Sequence, residues 1–281
     1  MKLENKVAII TGGSGGIGSE IAKSFLEEGA QVIITYRSEE KVKKILRDLK
    51  EHYKSGRLDC VPLDITKEKE IKEVIEYVSE RNTGIDILVN AAATQLPIGE
   101  FKDLKTEDIL NGIQTNFTGT ILFCKYALPY LTESKNGKII NFSGGGSLYP
   151  RPNFSIYGAM KTAIIRFSET LAEEVRRYNI DINVIAPGAI NTNMVDEIIK
   201  AGNLAGSNEL KKAKEIQQGN GNSPQVVADL AVFLASEESK GITGKLISAP
   251  YDNWRSLNKE SSSLYTLRRI DGKNYFEGKN D

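Results

Sequence analysis

Histidine is almost missing from this 281-residue chain: a single one, His52, sits in the charged stretch RDLKEHYKSGR. One imidazole cannot build a multi-histidine metal set. Among so many charges it reads as a helix residue facing water. Cysteine is nearly as scarce, and Cys60 and Cys124 share no ligand-type or redox-type spacing. They read as packed thiols of a reducing compartment rather than a disulfide or metal ligands. Charge of one sign is also lacking, since 37 Lys and Arg face 37 Asp and Glu. That removes the electrostatic footprint of a nucleic-acid or anionic-membrane partner. No run approaches the roughly 20 apolar residues that a bilayer crossing needs. The opening MKLENKVAIITGG enters a strand pattern directly, with no apolar signal-peptide region. A cytoplasmic protein is the expectation, and neither an internal repeat nor a low-complexity linker breaks the chain.

What is present is a rhythm. Short runs rich in Val and Ile recur at 6–11, 31–36, 57–64, 85–91, 137–143, 181–187 and 245–249. Most lack strict alternation, as strands buried on both faces do. Helical periodicity lies between them: Ile17, Ile21 and Phe25 share one face, and Val42, Leu46 and Leu49 another. Longer helical patterns cover about 104–133 and 155–178. The alternation predicts an α/β fold, a doubly wound parallel sheet of about seven strands with right-handed crossovers. Residues 1–250 form the domain, and 193–222 form an insertion with two helical patterns. Residues 251–281 form a polar tail, anchored only by Trp254, Leu264, Tyr265, Leu267 and Tyr275. The tail is expected to pack on the domain or on a neighbouring subunit.

The first strand runs into TGGSGGIGSE, which opens the first helix. Four glycines at 12, 13, 15 and 16, with Gly18 beyond, exceed what a structural turn needs. Between a strand and a helix N-terminus they suit a dinucleotide pyrophosphate, which backbone N–H groups then face. The second strand ends in Tyr36 and Arg37, where an acid would hold the ribose 2′-hydroxyl of NAD. Arginine instead pairs with a 2′-phosphate through its planar fork. The reading is NADP(H), with NAD(H) as the alternative. Gly15 argues the other way, because many NADP-using members of the family that this turn resembles carry a basic residue there.

Thr11–Gly18 matches TGxxxGxG, and the chain thereby resembles the short-chain dehydrogenase/reductase family. The length resembles its short, single-domain branch with a Rossmann fold. The resemblance implies that Gly12, Ser14, Gly15, Gly16, Ile17 and Gly18 hold the phosphates. Asp64 and Ile65, ending the third strand, would meet the adenine. VNAAA (89–93) is similar to the family's NNAG, with Asn90 matching, Ala91 and Ala93 departing, and Ala92 between them on the adenosine side. APGAINT (186–192) resembles the PG motif, whose Pro187, Gly188, Ile190 and Thr192 would flank the nicotinamide.

Tyr157 and Lys161 lie one helical turn apart and face the same way. A free phenol titrates near about 10, and a neighbouring ammonium favours its ionised form. Tyr157 could then trade a proton with a carbonyl or alcohol oxygen. By resemblance, Lys161 also holds the ribose hydroxyls, and Asn116, in N-x-x-G (116–119), holds a relay water. The family's carbonyl-polarising serine stands thirteen residues before the tyrosine, where this chain has Gly144 in SGGGS (143–147). Ser143, then Ser147, are the candidates to replace it, with backbone N–H groups of the glycine run as a third option.

In LYPRPNF (148–154), Tyr149, Arg151 and Phe154 stand near the site, and the resemblance makes 193–222 a substrate lid. Arg151 with Lys200, Lys211 and Lys212 suggests an anionic substrate, although a solvated basic face is the simpler reading. The family's Gly-Gly after the last strand is replaced by SAPYDNW. The expected function is NADP(H)-dependent interconversion of a carbonyl and a secondary alcohol on a small molecule. The expected assembly is a homo-oligomer, a dimer or a tetramer. The alternatives are a nucleotide-sugar dehydratase or epimerase and a catalytically silent NADP-binding sensor.

Overall fold

All seven Val- and Ile-rich runs become strands. The computed structural model describes residues 1–258 and 266–267. Its strands are β1 (Val7–Thr11), β2 (Gln31–Tyr36), β3 (Leu58–Pro62), β4 (Ile87–Asn90), β5 (Lys138–Phe142), β6 (Asp181–Ala186) and β7 (Lys245–Ser248). They form one sheet in the order β3-β2-β1-β4-β5-β6-β7, with every pairing parallel. Strand side chains alternate between two apolar clusters. Ala8, Ile10, Val32, Ile34, Ile140 and Phe142 face one side; Val7, Ile9, Ile33, Leu88 and Ile139 face the other.

The helices α1 (Gly16–Glu27), α2 (Glu39–Asp48) and α10 (Pro224–Ala235) cover the first face. In α2 the buried stripe is Val42, Ile45 and Leu49, with Leu46 half-buried beside it. The sequence suggested Leu46, but spacing of three then four serves a helix face as well as four then three. After the short α3 (Lys50–Lys54), the other face is covered by α4 (Glu68–Arg81), α6 (Gly119–Glu133) and α7 (Ser155–Val175). His52, in α3, is half-buried rather than in water, with Nδ1 2.8 Å from Arg57 Nη2. The pattern over 104–133 is one rod: α5 (Thr106–Ile113), a π turn over Gln114–Thr118, then α6.

A third apolar cluster positions the site. In the insertion, α8 (Asn193–Ala201) and α9 (Ser207–Glu215) bring Val195, Ile198 and Ala213 against Phe154, Tyr157 and Met160 at the start of α7. Trp254, beyond the expected domain end, is buried, donates from Nε1 to Ala249 O at 3.2 Å and packs on Phe233. Of the remaining tail anchors, Leu267 donates its N–H to Glu169 Oε1 at 2.6 Å on α7. Leu264, Tyr265 and Tyr275 lie outside the described residues. Among the described residues no helix is long and apolar enough to cross a membrane.

Candidate active site

Strand order reverses between β1 and β4, and at such a switch point loops part beyond the carboxyl ends of the strands. The glycine turn, Ala91–Ala93, Gly144–Gly146 and Pro187–Gly188 follow β1, β4, β5 and β6, so the sequence motifs meet along this edge. The glycine turn is packed backbone to backbone. A Cβ on Gly12 (φ +63°) would lie 2.7 Å from Ala92 Cα, and one on Gly18 2.6 Å from Gly12 O. Thr11 Oγ1 accepts the Ala92 N–H at 3.2 Å, tying β1 to the segment after β4. Gly16 approaches Thr192, whose Oγ1 caps α8 by accepting the Met194 N–H.

A cavity of about 480 Å³ opens beside this turn, lined by Ser14, Gly15, Gly16 and Thr192 with Lys41 and Lys44 of α2. A larger hollow between α1, α10 and Trp254 contains none of the candidate residues. Bare glycine backbone and a helix N-terminus fit a pyrophosphate, and the wall carries both signs of charge, Lys23, Lys41 and Lys44 with Glu20, Asp48 and Asp196. Asp64 Oδ1 accepts from Thr66 N at 3.0 Å and Thr66 Oγ1 at 2.7 Å. Burial raises its pKa, but those hydrogen bonds and the charges of Lys67 and Arg37 outweigh it and hold it below the usual range. Arg37 is exposed, and Tyr36 Oη donates to Glu39 at 3.2 Å. Ile65 packs on Gly119, where a Cβ would lie 2.6 Å from Ile65 Cγ1. Ile17 and Ala91 pack half-buried on the core, Ile190 is buried, and Gly188 has φ +75°.

Tyr157 and Lys161 each keep only 4% of their surface exposed. Lys161 Nζ donates to Phe142 O at 3.1 Å and stands 5.8 Å from the Tyr157 ring centre. Burial pushes the lysine down to about 8. Burial also pushes the phenol up; Glu197 and Tyr149 add to the rise, and Arg151 is the cause that lowers it. The lowering anticipated from Lys161 is thus not a feature of the protein alone, because burial of the phenol dominates and Lys161 does not offset it.

Asn116 is fully buried in the π turn; its Oδ1 accepts the Thr94 N–H at 3.1 Å and its Nδ2 donates to Gly112 O at 3.1 Å. Asn90 Nδ2 donates to Asn141 Oδ1 at 2.9 Å, and Asn141 Nδ2 to Ser168 Oγ at 2.8 Å. Asn90 Oδ1 is buried without a partner. The sequence reading missed Asn141 and Ser168, although a lone polar residue inside KIINF was a usable signal.

Gly144 faces the phenol directly: a Cβ there would sit 2.2 Å from Tyr157 Oη. Ser143 turns toward β6, with its N–H donating to Ile185 O at 3.0 Å and its Oγ reaching the same oxygen at 3.5 Å. Ser147 closes the glycine turn through its N–H to Gly144 O at 3.1 Å, and its carbonyl accepts Thr162 Oγ1 at 2.8 Å. Arg151 donates to Glu209 Oε2 from Nε at 2.9 Å and Nη2 at 2.6 Å, and to Gln95 Oε1 from Nη1 at 2.9 Å. Glu197 accepts from Thr94 Oγ1 at 2.8 Å and Gln95 N at 2.7 Å. Lys211 and Lys212 pair with Glu215 and Glu209, the solvated face that the simpler reading expects. Nothing in the spacing of Gln95, Glu197 or Glu209 marked them in advance, since the loop after β4 and the helices α8 and α9, far apart in the chain, bring them together.

The family model described as short chain dehydrogenase matches residues 6–202. The chain belongs to this family. It is 34% identical over 252 residues to the 3-oxoacyl-(acyl-carrier-protein) reductase FabG of Thermotoga maritima, covering 88% of this chain and 97% of that one. The solved structure of ElxO with NADP bound superposes with a TM-score of 0.75 at 31% identity, over 87% of this chain and 97% of that chain. An actinorhodin polyketide ketoreductase variant with NADPH superposes with a TM-score of 0.78 at 26% identity, over 87% and 95%. The short-chain dehydrogenase/reductase resemblance and the parallel α/β fold are thus both established, and the protein is an oxidoreductase of that family.

Proposed function

We propose that the protein is an NADP(H)-preferring oxidoreductase that interconverts a carbonyl and a secondary alcohol on a small molecule, with Tyr157 as the acid/base. The observation that carries this reading is the phenol of Tyr157, buried one helical turn from Lys161 and lying against bare Gly144 at the carboxyl edge of the sheet. When bound, the nicotinamide supplies or accepts the hydride.

In reduction Tyr157 Oη gives its proton to the carbonyl oxygen, and in oxidation it takes the alcohol proton. Lys161 Nζ, already fixed by Phe142 O, orients toward the ribose hydroxyls. Asn116 holds the relay between Lys161 and solvent. The glycine turn with Ser14 and Ile17 takes the pyrophosphate. Asp64, Ile65, Asn90, Ala91 and Ala92 border the adenosine. Pro187, Gly188, Ile190 and Thr192 border the nicotinamide. Tyr36 and Arg37 stand at the 2′ position, and Arg37 together with the NADP(H)-bound relatives supports NADP(H) over NAD(H). The insertion 193–222 acts as a lid through Glu197 and Glu209. A cytoplasmic homo-oligomer belongs to the same reading.

The test is NADPH consumption over a panel of an acetoacetyl thioester, a cyclic ketone and an aldose. Tyr157→Phe should lose about 10²–10⁴ in rate while NADPH still binds. Near-normal turnover in the variant would remove Tyr157 from the chemistry.

A further inference from the structure

A carbonyl oxygen that gains negative charge needs preorganised donors as well as a proton source, and Gly144 offers no side chain for this. The loop between β5 and α7 supplies candidates of its own. The position that a Cβ would take on Gly145 lies 3.4 Å from Tyr149 Oη and 3.4 Å from Arg151 Nη1. On the adjacent glycine, the same position meets Tyr157 Oη at 2.2 Å. A phenol, a guanidinium and the acid/base phenol therefore converge on one short stretch of backbone that carries no side chains.

We infer that Tyr149 and Arg151 together donate the hydrogen bonds that polarise the substrate's carbonyl oxygen. This rests on the acid/base assignment of Tyr157 and goes beyond it by naming the electrophilic partners.

Arg151 is built for the task. Its side chain is only 9% exposed, its guanidinium lies 3.7 Å from the centre of the Phe154 ring, and Glu209 and Gln95 hold it by three hydrogen bonds. Those contacts use three of the five guanidinium N–H groups, leaving one on each Nη. The spare Nη1 proton is on the nitrogen beside Gly145. Fixed donors of this kind stabilise developing charge without reorganising. Tyr149 is 61% exposed, yet its hydroxyl leans over the glycine run, giving the loop a second, adjustable donor. Both groups also act electrostatically on Tyr157, Arg151 lowering its pKa and Tyr149 raising it.

The probe is 4-(dimethylamino)cinnamaldehyde, whose absorption band moves to the red when its carbonyl oxygen accepts hydrogen bonds. With NADP⁺-loaded wild-type protein the band should shift. Tyr149→Phe and Arg151→Gln should each reduce the shift, and the double variant should abolish it. Arg151→Lys, which keeps the charge facing Glu209, guards against a folding artefact, and NADPH binding followed by fluorescence should stay within about twofold in every variant. In reduction of the same aldehyde by NADPH, Arg151→Gln should lose about 10²-fold in rate. No shift in the wild type overturns the inference, as does a full shift in the double variant. So does a shift that survives the double variant but disappears in Ser143→Ala or Ser147→Ala. A shift lost only in Tyr157→Phe also overturns it while leaving the acid/base reading intact. Undiminished reduction by Tyr157→Phe sinks that reading instead, whatever the band does.

Discussion

Lys161 should make the protein more stable as the solution becomes alkaline, against the usual trend. Its ammonium is buried with one carbonyl partner, Phe142 O, and burial lowers its pKa from 10.5 to about 8. The folded state thus disfavours the charged form. Below pH 8 both states hold the proton and folding bears the full cost of burying it. Between about 8 and 10.5 the unfolded chain holds more protons than the folded one, so stability rises with pH. Each unit is worth about 1.4 kcal/mol, and the part of the window between pH 7 and pH 10 amounts to about 2–3 kcal/mol. Other lysines and tyrosines titrate in the same range, so the measurement is a difference. Denaturant midpoints of wild type and Lys161→Met are compared from pH 6.5 to 10 at 25 °C. The constant offset between them includes the carbonyl that the variant leaves unpaired. The slope does not, and wild type should gain on the variant by that 2–3 kcal/mol as pH rises. Parallel curves would show that the ammonium is not destabilised by burial, and the account of the Tyr157–Lys161 pair would fall with it.

Arg37→Ala should weaken NADPH binding by about 10- to 100-fold, the worth of a hydrogen bond to a charged phosphate, and leave NADH nearly unchanged in a fluorescence titration; equal losses would dismiss the 2′-phosphate role. Gly18→Ala should cost more than tenfold in NADPH affinity, because its Cβ would lie 2.6 Å from Gly12 O and the turn must open; unchanged affinity would show that the turn tolerates the shift. Lys138 Nζ pairs with Asp181 Oδ2 at 2.6 Å between the amino ends of β5 and β6, both side chains nearly inaccessible. Lys138→Met should therefore destabilise by about 3–5 kcal/mol in urea, and Lys138→Met/Asp181→Leu should recover most of it; a mild single variant would mean that water reaches Asp181.

Much of the architecture was legible because its signals are local. Strands buried on both faces are dominated by Val and Ile, so VAIIT, QVIITY and KIINF declare themselves without reference to anything distant. The glycine turn is equally readable, since close backbone approach at Gly12 and Gly18 excludes any other residue. Tyr157 and Lys161 needed only helical spacing to be placed on one face. The π turn that carries Asn116 had no sequence mark, because it depends on how the rod of α5 and α6 seats against its neighbours. The serine question could not be resolved by counting either. Ser143 follows the strand toward β6, and only the path of the next loop shows what faces the glycine run.

The sequence by itself determined the sheet, its parallel sense, the glycine turn and the residues of the proposed acid/base pair. These depend on periodicity, on steric exclusion of side chains and on residues one helical turn apart. Tertiary structure alone decided the rest. It buried Tyr157 and Lys161 enough to move their pKa values in unwelcome directions. It also set Ser143 against β6, brought Tyr149, Arg151 and Glu197 within electrostatic reach of the phenol, and held Arg151 with Gln95 and Glu209. Burial and convergence are properties of packing, where segments far apart in the chain share one small volume from which water is excluded.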